Sequence, residues 1–141
     1  MNSRIIDLEV KTDGRGKLTP LEYPKQLDFP LERVYYIYDV NNDITRGYHS
    51  HRDLEQLLIA VSGSLKVRIK TPFSEEVITL NNPSKGLYIG PMIWREMFDF
   101  SENAVLLVLA SHEYDESDYI RDYEQYERVA HDYFKDHKEQ K

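Results

Sequence analysis

The 141-residue sequence contains no cysteine. That absence excludes disulfides, thiolate zinc centres, iron–sulfur clusters and a cysteine nucleophile. Long apolar runs are missing as well. The longest, such as Val105–Ala110, are strand-sized and too short to span a bilayer as a helix. The opening MNSRIIDLEV carries acids early and has no apolar core of a signal peptide, so a cytoplasmic location is expected. Basic charge is in deficit: 18 Lys and Arg stand against 25 Asp and Glu, a net charge of −7, which argues against a nucleic-acid partner. Glycine is sparse, six in all. The string GLYIGP at 86–91 lacks the G-x-G-x-x-G spacing, and no Walker loop is present.

What is present suits a globular protein. Forty per cent of the residues are hydrophobic and 30% charged. The length fits one domain over 1–141, with a core large enough to fold without metal or crosslinks. Acidity is concentrated after residue 112. The nearly neutral body carries Arg15, Arg33, Arg46, Arg52, Arg68 and Arg95, enough for a cationic pocket that takes an anionic small molecule.

Short apolar runs predict strands at 4–10, 33–38, 56–62, 64–69, 76–80, 86–89, 96–100 and 104–111. Turn-forming strings separate them: DGRG at 13–16, SGS at 62–64, NNPSKG at 81–86 and SEN at 101–103. Regularly spaced short strands point to an all-β sandwich or barrel, here over about 4–112. After Tyr114 the pattern changes. Tyr119, Tyr123, Tyr126, Ala130, Tyr133 and Phe134 recur at helical spacing, which predicts one amphipathic helix over 117–137, capped by Asp115 or Ser117.

The segment RGYHSHRDLEQLLIAVSG at 46–63 concentrates the chemistry. His49 and His51 are two apart, so on a strand they share a face. Glu55 and the hairpin glycine Gly63 complete a pattern that resembles the first motif of the cupins, H-x-H-x(3,4)-E. The resemblance implies a double-stranded β-helix (jelly-roll) barrel, followed here by the C-terminal α-helix. Many cupins hold a metal through these side chains and a later histidine. Arg95 stands where that later histidine is expected, and a guanidinium offers no lone pair, so no metal is expected.

Longer strings are more specific. RVYYIYD at 33–39, RGYHSHRDLEQ at 46–56, GLYIGP at 86–91, WREMFDF at 94–100 and ASHEYDESDYIRDY at 110–123 resemble the bacterial nucleotide-sugar 3,4-ketoisomerases, cupin-fold enzymes acting on dTDP-4-keto-6-deoxyglucose. The resemblance implies an isomerase of deoxysugar biosynthesis for surface polysaccharide. It works as a homodimer through an enediol(ate), with no cofactor. In that family a histidine often follows the tryptophan where this sequence has Trp94-Arg95. The departure leaves the C4 configuration of the product open.

Moving a ketone from C4 to C3 needs a base for the C3 proton, charge stabilisation of the enediolate, and a proton at C4. His49 or His51 suits the base. Tyr35 can shuttle protons between O3 and O4. Strand alternation puts it on one face with Arg33. Arg15, Arg33, Arg46 and Arg95 are the candidates for binding the diphosphate, and Arg95 can also stabilise the enediolate. Trp94 or a tyrosine can stack on thymine. Glu55 either fixes a histidine tautomer or pairs with Arg52. Two alternatives share much of this chemistry: a cupin-class nucleotide-sugar epimerase, which ends with the ketone still at C4, and a non-catalytic sugar-binding cupin. A metal-dependent dioxygenase is a weaker fourth reading.

Overall fold

The computed structural model describes residues 1–136. Strands β1 (Ser3–Asp7), β9 (Lys85–Ile89), β6 (Gln56–Ser62), β11 (Val105–Ala110) and β4 (Arg33–Tyr38) form one antiparallel sheet, in that spatial order. Strands β12 (Tyr119–Ile120), β5 (Arg46–His51), β10 (Trp94–Phe98), β7 (Leu65–Thr71) and β8 (Ser74–Leu80) form a second. A separate hairpin pairs β2 (Lys11–Asp13) with β3 (Gly16–Leu18). The helix α1 spans Tyr123–Asp136. The cupin-type architecture is thus two facing sheets rather than a ring closed by hydrogen bonds.

Period-two alternation explains the layering. In β7, Leu65, Val67, Ile69 and Thr71 are buried while Lys66, Arg68 and Lys70 are partly exposed. Leu65, Val67 and Ile69 join Leu58 and Ala60 of β6, Leu87 and Ile89 of β9, Met97 of β10, and Leu106 and Val108 of β11 between the sheets. Strand β6 is buried on both faces because its outward Leu57 and Ile59 are covered by Leu8, Leu27 and Phe29. This is why its sequence reads as an unbroken apolar run. The β6–β7 turn needs Gly63, whose φ is +65° and whose missing Cβ would lie 2.8 Å from the Ala104 Cα.

Two irregularities prepare the site. In the β5–β10 ladder His49 faces Arg95 and Gly47 faces Glu96, so Tyr48 is an extra residue, a β-bulge. Gly47 has φ +97° and Tyr48 φ +55°. A Cβ on Gly47 would sit 2.9 Å from the Arg95 carbonyl oxygen, so only glycine lets the strands approach here.

The second irregularity corrects the helix start. Residues 117–122 are not part of the α-helix. Glu116–Asp118 form a 3-10 turn capped by the Asp115 side chain, and Tyr119 and Ile120 pair with His51 and Ser50 of β5. Edge pairing with β5 outcompetes helix in this stretch. The helix begins at Tyr123, with the Asp122 carboxylate accepting from the Gln125 N–H at 3.3 Å. Its Tyr126, Ala130 and Phe134 bury against Trp94, Met92 and Ile120. His137, the last residue of the expected helix, lies outside the described residues.

Candidate active site

His49 and His51 project from β5 with ring centroids 4.9 Å apart and planes edge-on. Both tautomers follow from their partners. The His49 Nδ1 lies 3.0 Å from the Gly47 carbonyl oxygen, which can only accept, so Nδ1 carries the proton and Nε2 the lone pair. The bulge therefore supplies the acceptor that fixes the ring. The His51 Nδ1 lies 3.0 Å from Asp118 Oδ2, and its buried Nε2 has no hydrogen-bond partner among the described residues. The other Asp118 oxygen accepts the Asp53 N–H at 2.8 Å. Tyr119 packs on both imidazoles, 4.2 Å from His51 and 5.0 Å from His49. Burial, and then the nearby Arg95 charge, push His49 down to about 3 and lower His51 as well. Both rings are neutral bases at neutral pH.

Arg95 is 1% exposed. Its guanidinium donates to Gln56 Oε1 and, from Nε and Nη2, to the Ile93 carbonyl at 3.3 and 3.0 Å. No carboxylate pairs with it among the described residues. Burial draws it down to about 10, so it remains protonated. Gln56 in turn donates from Nε2 to the Tyr35 hydroxyl oxygen at 3.0 Å. The Arg33 guanidinium lies over the Tyr35 ring at 5.1 Å and near the Tyr114 ring at 5.6 Å. Its Nε is buried without a partner among the described residues.

Two cavities open on the histidines, one on each. The first, about 390 Å³, reaches His49 and is walled by Arg33, Arg46, Arg121, Tyr35 and Met97, with no acidic residue. The second, about 500 Å³, reaches His51 and is walled by Glu32, Asp53, Glu113, Asp115 and Asp118. Arg33, Tyr114 and Tyr119 line both. Charge alone assigns an anionic ligand to the first cavity.

Of the residues expected at the site, His49, Tyr35, Arg33 and Arg46 line the first cavity and His51 the second, while Arg95 lines neither and reaches Tyr35 through Gln56. Trp94 is not drawn in. It alternates with Arg95, points under α1, donates from its indole to Glu96 at 2.9 Å, and packs against Tyr123 and Tyr126. It is an anchor for the helix and is unavailable to stack on a base. Arg15 is not drawn in either. It sits on the β2–β3 hairpin, 92% exposed and paired with Asp13, and lines neither cavity. Glu55 takes neither expected partner. It shares the outward parity of Leu57 and accepts from the Tyr88 hydroxyl at 2.6 Å. The carboxylate that fixes a histidine is Asp118 instead. A metal does not fit: Glu55 is turned away, an arginine stands opposite His49 in the ladder, and no group of three His, Asp or Glu side chains is arranged to hold an ion among the described residues.

Sequence reasoning missed Asp118, Gln56, Tyr119 and Arg121. Asp118, Tyr119 and Arg121 lie inside ASHEYDESDYIRDY, whose spacing reads as helix. Only its mixture of Asx and Ser residues hints at a turn.

Residues 1–131 match the family model described as FdtA: WxcM-like, C-terminal. A curated relative, the TDP-4-oxo-6-deoxy-α-D-glucose-3,4-oxoisomerase of Aneurinibacillus thermoaerophilus, is 42% identical over 128 residues, 91% of this chain and 92% of the relative. The sugar 3,4-ketoisomerase QdtA of Thermoanaerobacterium thermosaccharolyticum, solved with TDP, is 54% identical. Its TM-score is 0.92, over 94% of this chain and 97% of QdtA. A substituted QdtA has been solved with TDP-4-keto-6-deoxyglucose. A 3,4-ketoisomerase from Helicobacter canadensis is 44% identical, with a TM-score of 0.90 over 93% of this chain and 98% of that one.

Proposed function

The chain belongs to the FdtA (WxcM-like, C-terminal) family, and from that premise we propose that it is a nucleotide-sugar 3,4-ketoisomerase. It converts dTDP-4-keto-6-deoxyglucose to a dTDP-3-keto-6-deoxyhexose. The observation that carries this reading is the His49 imidazole. It is held neutral with Nε2 free, and it opens onto a cavity walled by three arginines and three tyrosines.

The chemistry runs as follows. Nε2 of His49 takes the C3 proton. The electron pair left behind forms the C3–C4 double bond, and the C4 carbonyl oxygen becomes anionic. Arg95 and Arg33 stabilise that charge from fixed positions where burial strengthens their field. Tyr35 passes the O3 hydrogen toward O4 as C3 becomes the carbonyl carbon. A proton returned to C4 completes the isomerisation, with no net oxidation and no redox partner. His51, oriented by Asp118, is the second proton carrier. Arg33, Arg46 and Arg121 bind the diphosphate.

The enzyme is a homodimer in this reading. Val34, Tyr36 and Tyr38 form an exposed apolar row on the outer face of β4, which supports it. Among the described residues no helix is long and apolar enough to cross a membrane. A charged nucleotide sugar does not cross bilayers, so we place the enzyme with its substrate in the cytoplasm, supplying deoxysugars for surface polysaccharide.

The test is proton NMR of the purified protein with dTDP-4-keto-6-deoxyglucose in D₂O. A new 3-keto species with deuterium at C4 is the expected result, and its couplings give the C4 configuration. Exchange at C3 or C5 without a 3-keto product would instead indicate an epimerase. No exchange at all would indicate a binding protein.

A further inference from the structure

Gln56 sits at the start of β6, 2% exposed, between two groups whose hydrogen-bonding capacities are fixed by chemistry. On one side is the Arg95 guanidinium, which can only donate. The amide must therefore turn its oxygen to Arg95. Its Nε2 then faces Tyr35 and donates to the phenol oxygen at 3.0 Å. With that lone pair occupied by a donor, the phenol hydrogen cannot point back along the same line. It is directed elsewhere, and the Tyr35 side chain lines the arginine-walled cavity that also contains His49.

We propose that Gln56 is a positioning residue that commits the Tyr35 hydroxyl proton to this cavity, where the reacting sugar oxygens lie. The inference rests on the ketoisomerase reading and deepens it. Arg95 then acts on the reaction twice: directly through its charge, and at one remove by setting which end of the amide faces the phenol. The relay Arg95–Gln56–Tyr35 makes Tyr35 a one-directional donor before substrate arrives. This is preorganisation of a general acid.

Isosteric inversion tests it. In Q56E the carboxylate keeps its contact with Arg95 but accepts where the amide donated, so it turns the phenol proton inward. In Q56M neither contact remains and the phenol is free to rotate. The expected kcat loss is about 100-fold for Q56E, in the range of a general acid. The loss is smaller for Q56M, and KM changes little in either. A merely structural role predicts the reverse order, because glutamate keeps an acceptor for the buried Arg95 guanidinium and methionine does not. Neutralisation of Arg95 by the new carboxylate is separated by a cycle: Q56E costs nothing further in a Y35F background. The same fold-loss with and without Tyr35 would overturn the proposal, as would full activity in Q56E. A readout independent of turnover is ¹³Cζ-tyrosine NMR, with the Tyr35 signal assigned by its loss in Y35F. Its phenol should ionise at higher pH in both Gln56 variants than in the wild type, since a donor to its oxygen is gone, and an unchanged titration refutes the orientation. A wild type that does not turn over the sugar refutes the ketoisomerase reading alone, with the titration still deciding Gln56.

Discussion

Replacing Arg95 by methionine separates its service to the fold from its service to the reaction. Burial that draws the guanidinium down to about 10 costs the charged form about 3 kcal/mol. R95M relieves that cost. It also leaves Gln56 Oε1 and the Ile93 carbonyl without their donor, at about 1–3 kcal/mol each. The two effects partly offset, so the stability should change by no more than about 3 kcal/mol in urea unfolding followed by circular dichroism. This is the behaviour of buried charges exchanged for apolar groups of similar volume. Turnover should behave differently. Loss of one preorganised charge held behind a developing oxyanion should cost up to about 10² in kcat. The pH profile should move too. Arg95 is the second-largest influence lowering His49, so without it the imidazole climbs back toward its ordinary range. In the wild type kcat/KM should hold steady from pH 8 down to about 5, because the base form persists. In R95M the acid limb should rise toward pH 6.5. A variant that unfolds more than about 4 kcal/mol more easily would show that Arg95 is chiefly structural. One that keeps full turnover and an unmoved acid limb would refute the electrostatic role altogether.

H49N removes the proposed base and should lower kcat at least ~10²-fold with the fold intact by circular dichroism. D118N leaves one acceptor oxygen for two donors; with the Asp53 N–H holding it, an amide NH₂ faces His51 Nδ1 and upsets its tautomer, which should lower kcat by about 10–10²-fold with KM nearly unchanged in steady-state assays. Stability should fall with acid. Both histidines titrate lower folded than unfolded, so their contribution is complete above pH 6.5 and is lost as the pH drops below it. The loss is on the order of 2 kcal/mol per histidine by pH 5. A urea midpoint that H49Q and H51Q leave equally acid-sensitive would count against this. Because Trp94 is packed under α1 rather than in a cavity, W94F should lower the melting temperature while leaving KM for the nucleotide sugar unchanged. A large rise in KM would restore a base-stacking role.

Much of this site was legible because strands announce their faces. Arg33 with Tyr35, and His49 with His51, are pairs at spacing two, and alternation alone puts each pair on one side. The same rule, carried back along β6 from the inward Leu58 and Ala60, turns Gln56 inward and Glu55 outward. The motif pattern drew attention to the glutamate instead. Asp118 was out of reach for a different reason. It meets His51 across 67 positions of chain, through a two-residue strand too short to leave a periodic trace. The tyrosine spacing across that stretch suits a helix, and only pairing with β5 reveals otherwise. Strand alternation separates neighbours, so standing next to Arg95 in sequence places Trp94 on the opposite face, under α1.

The extra residue in β5 changes the arithmetic of its strand. Arg46 and His49 are three apart, an odd interval, so a regular strand would point them in opposite directions. Yet both line the same cavity, because Tyr48 uses up one step of the pleat without taking a place in the ladder. Deleting Tyr48 would therefore do more than shorten a strand. It would reverse the parity of everything before His49, carry Arg46 out of the cavity, and remove the carbonyl that holds the imidazole. The distance in sequence between the cation and the base is in this sense a fixed gauge, and relatives that insert or lose one residue between them would have to rebuild the anion site from another strand.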